Sequence, residues 1–118
     1  MENSSVNTLC RVRDLYRAIA DFECLFQQQF GICLNEGMLL CTLQNQELSS
    51  SEIAQALGLS SSNTSKVIKS VENKGFISRN IGKSDKRQMN FSLSAEGKKQ
   101  LKGITSGTLP LPTLLETI

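Results

Sequence analysis

Two short helices are predicted one directly after the other in the middle of the chain, separated by a turn of about three residues. Ser49, followed three residues later by Glu52, fits a capping box at the start of the first helix, and Gly58 fits its end. Ser60 can cap the second helix, which is predicted to span residues 60–74. Two short helices around a glycine turn are typical of a helix-turn-helix, and this feature constrains the fold most.

A basic hairpin is predicted immediately after these helices. Residues 76–79 are compatible with a strand, and residues 89–93 alternate strictly between apolar and polar side chains. Ser94 then caps a further predicted helix over residues 95–104. A helix-turn-helix followed by a hairpin, here with its wing over residues 79–90, predicts a winged helix.

The N-terminal segment reads as one long helix, because residues 3–30 contain neither glycine nor proline. Gly31 is predicted to end it, and Asn35 to cap a second helix over residues 36–43. The apolar surface of the long helix is wide, which fits either a core helix of a monomer or a helix at a subunit interface. Four of its side chains are the candidates for dimerisation: Leu9, Val12, Tyr16 and Ile19.

The chain of 118 residues is predicted to form a single domain. We divide it into an N-terminal helix for dimerisation (1–33), a helix-turn-helix core with its wing (34–97), and a C-terminal helix and tail (98–118). The tail has two prolines, so it is expected to be irregular with at most one short helix. The expected fold class is mainly α with a small β-hairpin wing, a long N-terminal helix and a shortened C-terminal region.

The charges are distributed unevenly along the chain, although the net charge is only +2. Residues 1–59 hold three basic and seven acidic side chains, a balance of −4, whereas residues 60–102 hold ten basic and three acidic ones, a balance of +7. A basic segment of this kind favours binding to a polyanion such as nucleic acid. The alternative is an ordinary solvated face rich in lysine.

The composition argues against an enzyme and against a metal or cofactor site. The chain has no histidine, no phosphate-cradling glycine loop and no convergent pair of carboxylates. No apolar run is long enough to span a membrane, and residues 1–10 do not resemble a signal peptide, so the expected location is the cytoplasm. There the four cysteines (Cys10, Cys24, Cys33 and Cys41) are expected to be reduced, and either buried or exposed and inert.

Polar and basic side chains on the second helix of the pair and on the wing are the candidates for DNA contact. The helix would lie in the major groove, where its first turns meet base edges and phosphates. Basic residues on the wing could reach phosphates or an adjacent minor groove, with Asp85 holding an arginine in place. The alternatives are a capped surface helix and an exposed ion pair. The candidates are Ser61, Ser62, Asn63, Ser65, Lys66, Lys69, Arg79, Lys83, Asp85, Lys86 and Arg87.

From Leu48 to Leu101 the sequence resembles the MarR (multiple antibiotic resistance regulator) family of bacterial transcription regulators. Residues 48–59 are similar to its first helix and turn, and residues 63–77 to its recognition helix. Asp85-Lys86-Arg87 followed by Leu93-Ser-Ala-Glu-Gly97 is similar to its wing signature. The resemblance implies a homodimer that binds a pseudo-palindromic operator in double-stranded DNA. It also implies repression that a small lipophilic or aromatic effector, or thiol oxidation, relieves.

The chain departs from the family at its C-terminal end, where members carry two substantial helices that complete the dimer interface. Two alternative functions stay open. One is a redox-sensing regulator of the same fold that uses Cys10, although neither Arg11 nor Arg13 is expected to lie beside this thiol. The other is a winged-helix module that binds protein instead of DNA, which the basic charge of the second half disfavours.

Overall fold

The computed structural model describes residues 4–81, 88–107 and 109–116. Within these residues the chain is mainly helical and carries a small antiparallel sheet, so the predicted fold class is confirmed. The elements in chain order are α1 (Ser4–Phe30), α2 (Leu34–Thr42), β1 (Leu48–Ser49), α3 (Ser50–Leu57), α4 (Ser61–Asn73), β2 (Ile77–Ile81), β3 (Met89–Leu93), α5 (Ala95–Ser106) and a 3-10 turn (Thr113–Leu115).

The chain divides into two compact units. The N-terminal unit, Met1–Cys33 with Thr108–Ile118, contains α1 and the 3-10 turn, which contact each other. Three phenylalanines lie four residues apart along α1. The ring centroids are 5.8 Å apart for Phe22 and Phe26, and 4.9 Å apart for Phe26 and Phe30. Phe26 is buried, so this row of aromatic rings supplies part of the apolar packing of the unit.

The winged-helix unit, Leu34–Gly107, contains the other four helices and the sheet. Its core is mainly aliphatic and takes side chains from all four helices, from β2 and, through Phe91, from β3. The most deeply buried of these apolar side chains are Leu39, Leu40, Leu43, Ile53 and Val71. Burial of large aliphatic side chains from α2, α3 and α4 holds these helices together.

The predicted helix-turn-helix is confirmed, including its caps. The Ser49 hydroxyl accepts a hydrogen bond from the Glu52 amide at 3.3 Å, and the Glu52 carboxylate accepts one from the Ser49 amide at 2.9 Å, which completes the capping box. Gly58 ends α3 with φ 68°, in the left-handed region. The Ser60 hydroxyl accepts from the Asn63 amide at 3.1 Å and caps α4.

The sheet has three strands in the order β1-β3-β2, one more than the predicted hairpin. β2 and β3 pair antiparallel, with Arg79 opposite Phe91. The added strand is β1, in which Leu48 pairs with the same Phe91. β1 has only two residues, and such a short segment has no periodicity that a sequence pattern could show.

The second helix begins earlier than predicted. α2 starts at Leu34, so Asn35 lies inside its first turn and does not cap it. Gly31 ends α1 as predicted, with φ 75° and its amide donating to the carbonyl of Gln27 at 2.9 Å. Only Ile32 and Cys33 then separate Gly31 from α2, and Ile32 is buried.

The first turn of α5 packs directly on the turn that joins α4 to the wing. The Ser94 hydroxyl donates to the carbonyl of Gly75 at 2.6 Å, and the Ser94 amide donates to the carbonyl of Phe76 at 3.0 Å. Ser94 also caps α5, as predicted, by accepting from the Gly97 amide. A Cβ atom at Gly97 would lie 1.9 Å from the Phe76 carbonyl oxygen, so no larger residue fits there without a backbone shift.

We expect Gly97→Ala to lower the free energy of unfolding by about 2 kcal/mol or more, because the added methyl group would overlap the Phe76 carbonyl. Gly103→Ala is the matched control on the same helix, since no atom lies within 4 Å of a Cβ built there. This control should raise stability by about 0.5–1 kcal/mol through helix propensity. Urea unfolding of both variants measures the difference, and equal changes would show that the close approach at Gly97 is unimportant.

Candidate nucleic-acid interface

The outward face of α4 carries the predicted helix residues. All six candidates on it are exposed: Ser61, Ser62, Asn63, Ser65, Lys66 and Lys69. The opposite face packs inward through Ile68 and Val71, which are buried as expected, and through Thr64. The helix therefore presents short hydrogen-bonding side chains in its first turns and lysines further along.

Thr64 is a core position that the sequence analysis did not identify. Its side chain is fully buried, and its hydroxyl has no hydrogen-bond partner within the described residues. A threonine between Asn63 and Ser65 looks like one more polar residue of the exposed face. Only its position on the helix, four residues before Ile68, shows that it points inward.

The wing is described at its base and not at its tip. β2 and β3 form the base, whereas the four remaining wing candidates, Lys83, Asp85, Lys86 and Arg87, lie outside the described residues. Arg79 is exposed on β2, as predicted, and its guanidinium is paired with a carboxylate. Its Nε and Nη2 atoms donate to the two carboxylate oxygens of Glu72 on α4, at 2.5 and 3.1 Å.

The pairing of Arg79 with Glu72 is tight enough to change the acidity of both groups. Hydrogen bonding to Arg79 is the main cause that lowers the pKa of the Glu72 carboxyl, and the same bonds raise the pKa of the guanidinium. Both groups therefore stay ionised at neutral pH. The guanidinium carbon also lies 5.4 Å from the centre of the Phe91 ring on β3, a cation–π distance.

A cavity of about 510 Å³ lies between the helix-turn-helix and the base of the wing. Its walls come from α3, α4 and the sheet, and hydroxyl, amide and guanidinium groups line it together with Ile68, Met89 and Phe91. The polar lining residues are Ser49, Ser50, Ser51, Ser65, Arg79 and Gln88. Hydroxyl and guanidinium groups of this kind suit the phosphate oxygens of nucleic acid.

A buried carboxylate holds the C-terminal end of α4. Glu36 on α2 is only 4% exposed. Its Oε2 atom accepts hydrogen bonds from Lys74 Nζ at 2.5 Å and from Ser70 Oγ at 2.7 Å. This contact leaves no signal in the sequence, because 34 and 38 residues separate the partners and no local pattern connects them.

These two ion pairs reduce the positive charge that the winged-helix unit can offer to DNA. Lys74 and Arg79 are two of the ten basic residues counted between positions 60 and 102, and each has a carboxylate partner. Lys66 and Lys69 stay exposed on the outward face of α4. The basic character of α4 towards DNA therefore depends on these two lysines.

The candidate dimerisation residues are all exposed on α1, at 70% for Leu9, 45% for Val12, 74% for Tyr16 and 43% for Ile19. This row of apolar side chains is exposed to solvent in the single chain. Val6, Leu15 and Leu25 on the same helix are exposed as well. This surface is unusually apolar for a helix exposed to water.

Of the two environments expected for the cysteines, full burial applies to none of the four. Cys24 and Cys41 are exposed, Cys10 and Cys33 are half-buried, and none of the four forms a disulfide. The expectation that Arg13 is not at a spacing that brings it beside Cys10 is corrected, because Arg13 lies three residues further along α1. The guanidinium of Arg13 donates to Oδ1 of Asp14 from Nε at 3.2 Å and from Nη2 at 3.1 Å.

Within the described part of the chain, no helix is long and apolar enough to cross a membrane. Over the same residues, no group of three or more histidine, cysteine, aspartate or glutamate side chains could hold a metal ion.

The fold and the site together define a winged-helix protein with an exposed polar recognition helix. Residues 33–89 match the family model of the MarR family. The chain therefore carries a MarR family domain and has the winged-helix fold of MarR family transcription regulators, which confirms the resemblance found in the sequence. No curated protein matches the sequence significantly.

Solved structures of three similar proteins illustrate the match. MepR of S. aureus, in a complex with DNA, is 26% identical and has a TM-score of 0.65, with 80% of this chain and 79% of that chain covered. AbsC, a MarR family transcriptional regulator from Streptomyces coelicolor, is 20% identical with a TM-score of 0.79 over 90% of this chain and 73% of its own. The transcriptional regulator BldR from Sulfolobus solfataricus is 16% identical with a TM-score of 0.74 over 98% and 91%.

We expect Lys74→Ala to lower the free energy of unfolding by about 2 kcal/mol, because it leaves the buried Glu36 carboxylate without its cationic partner. Lys69→Ala, which removes an exposed lysine from the same helix, should change stability by less than about 0.5 kcal/mol. Thermal or urea unfolding at neutral pH compares the two. A Lys74→Ala variant as stable as Lys69→Ala would mean that Glu36 does not depend on this ion pair.

Proposed function

We propose that the protein is a sequence-specific regulator of transcription that binds double-stranded DNA as a homodimer and represses the genes it controls. The observation that carries this proposal is the outward face of α4, where all six predicted contact residues are exposed while the opposite face packs into the core. The match to MepR, which was solved in complex with DNA, supports the same reading.

In this proposal the N-terminal half of α4 enters the major groove. Ser62 and Asn63 in its first turn are short and uncharged, so they can approach base edges. Lys66 and Lys69 lie further along and have long cationic side chains that suit phosphates. The wing residues Lys83, Lys86 and Arg87 would reach the flanking backbone or minor groove, with Asp85 holding Arg87.

Dimerisation would bring two such helices to one side of the DNA. The exposed apolar face of α1 gives the reason, since covering Leu9, Val12, Tyr16 and Ile19 removes them from water. A two-fold symmetric dimer matches a pseudo-palindromic operator, with recognition helices about 34 Å apart, one turn of DNA. A small lipophilic or aromatic effector would then act by changing this separation.

Substitutions on α4 should separate base reading from phosphate binding. Asn63→Ala should weaken binding to the promoter DNA adjoining the gene about 5- to 150-fold, the equivalent of about 1–3 kcal/mol for a bidentate base contact, with little effect on scrambled DNA. Lys69→Ala should weaken both DNAs and lower the magnitude of the log–log salt slope by about 0.9 for each lysine lost. Fluorescence anisotropy at several salt concentrations measures both effects.

Equal weakening of the two DNAs by Asn63→Ala would show that Asn63 does not read the sequence. If wild-type binding to duplex DNA is absent, or barely changes with salt, the DNA-binding proposal is wrong and a protein partner becomes the better explanation.

Substitution of the α1 face should break the dimer. We expect Tyr16→Asp together with Leu9→Asp to give a monomer in sedimentation at micromolar concentration, because charge is placed where apolar side chains would pack. DNA affinity should fall in parallel, since one recognition helix then binds alone. Gln28→Asp adds a carboxylate at an exposed polar position of the same helix and should leave the dimer intact. A wild-type protein that sediments as a monomer would contradict the proposal.

A further inference from the structure

The guanidinium of Arg79 is held on two sides within the winged-helix unit. Glu72 on α4 accepts two hydrogen bonds from it, one from Nε and one from Nη2. Phe91, which is buried on β3 directly opposite Arg79 in the sheet, lies beneath it at a cation–π distance. A fork of two hydrogen bonds and a ring contact together restrict both the position and the plane of the group.

This arrangement links the recognition helix to the wing through one side chain. Glu72 belongs to α4, whereas Arg79 and Phe91 belong to the two strands of the wing. Arginine has five N–H donors, and the pair with Glu72 uses two of them. The remaining donors are on a side chain that is 54% exposed and that lines the cavity between the helix-turn-helix and the wing.

Two possible roles of Glu72 predict opposite effects on DNA affinity when its charge is removed. An acidic side chain next to a DNA-binding face repels phosphates, so its removal should strengthen binding to any DNA. A carboxylate that holds an arginine in a binding orientation has the opposite effect, because its removal lets the arginine adopt many conformations and loosens the wing. The sign of the change on neutralising Glu72 therefore distinguishes the two roles.

We propose that Glu72 is a positioning residue for DNA recognition, which holds Arg79 against Phe91 and so sets the base of the wing relative to the recognition helix. This inference rests on the proposed DNA-binding function. Arg79 then contributes through its fixed orientation and not only through its charge. Lysine in its place would keep the charge but could not make the two-point contact with Glu72.

The test compares Glu72→Gln and Arg79→Lys with wild type on promoter and scrambled DNA. Glu72→Gln should weaken promoter binding about three- to tenfold, although it makes the protein more positive, and should leave scrambled binding unchanged or stronger. Arg79→Lys should weaken promoter binding to a similar extent. The double variant should be no weaker than the worse single variant, because both changes remove the same contact.

Glu47→Gln is the matched control, since it removes the same charge from an exposed residue of the same unit and should not weaken promoter binding. The ratio of promoter to scrambled affinity is the decisive measurement, because a general loss of stability does not alter it while the protein is folded. If Glu72→Gln does not fold, the result for Arg79→Lys decides.

Stronger promoter binding by Glu72→Gln, or by Arg79→Lys relative to wild type, would overturn the positioning role while leaving the DNA-binding function in place. So would a response of Glu72→Gln equal to that of Glu47→Gln. Failure of the wild type to bind duplex DNA would overturn the proposed function and the positioning role together.

Discussion

The contact between the start of α5 and the turn after α4 is the constraint on which the winged-helix unit depends. Gly97 lies against the Phe76 carbonyl, and Ser94 donates to the carbonyls of Gly75 and Phe76. The same turn ends the recognition helix and begins the wing. Two hydrogen bonds and a close backbone approach occur at this turn. The same contact therefore fixes both the end of α4 and the start of β2.

Two glutamate carboxylates also hold α4 in place, each through a different contact. Glu36 holds the C-terminal end of α4 through Ser70 and Lys74, and Glu72 connects the middle of the wing base to the same helix through Arg79. The Glu36 carboxylate is buried and therefore depends strongly on its partners, whereas the pair of Glu72 and Arg79 is more exposed and matters more for orientation than for stability. Both glutamates pair with a cationic side chain that would otherwise be free to face solvent.

The two faces of the N-terminal helix α1 differ in how far their apolar side chains are buried. Ala18 and Phe26 are buried, while the row from Leu9 to Ile19 is exposed. This uncovered apolar surface fits the proposed dimer, since association would remove it from water. The exposed polar face of α4 has no such apolar surface, which fits a wet and charged partner such as DNA.

Local features of this fold could be predicted from the sequence because they depend on neighbouring residues. The caps at Ser49, Ser60 and Ser94, the helix ends at Gly31 and Gly58, and the exposed face of α4 all follow from side chains within four positions of one another. Tertiary structure alone decided the strand β1 and the pairing of Lys74 and Arg79 with glutamates. Charge counted along the chain cannot show which cations are already paired, because partners such as Glu36 and Lys74 meet only when the helices pack.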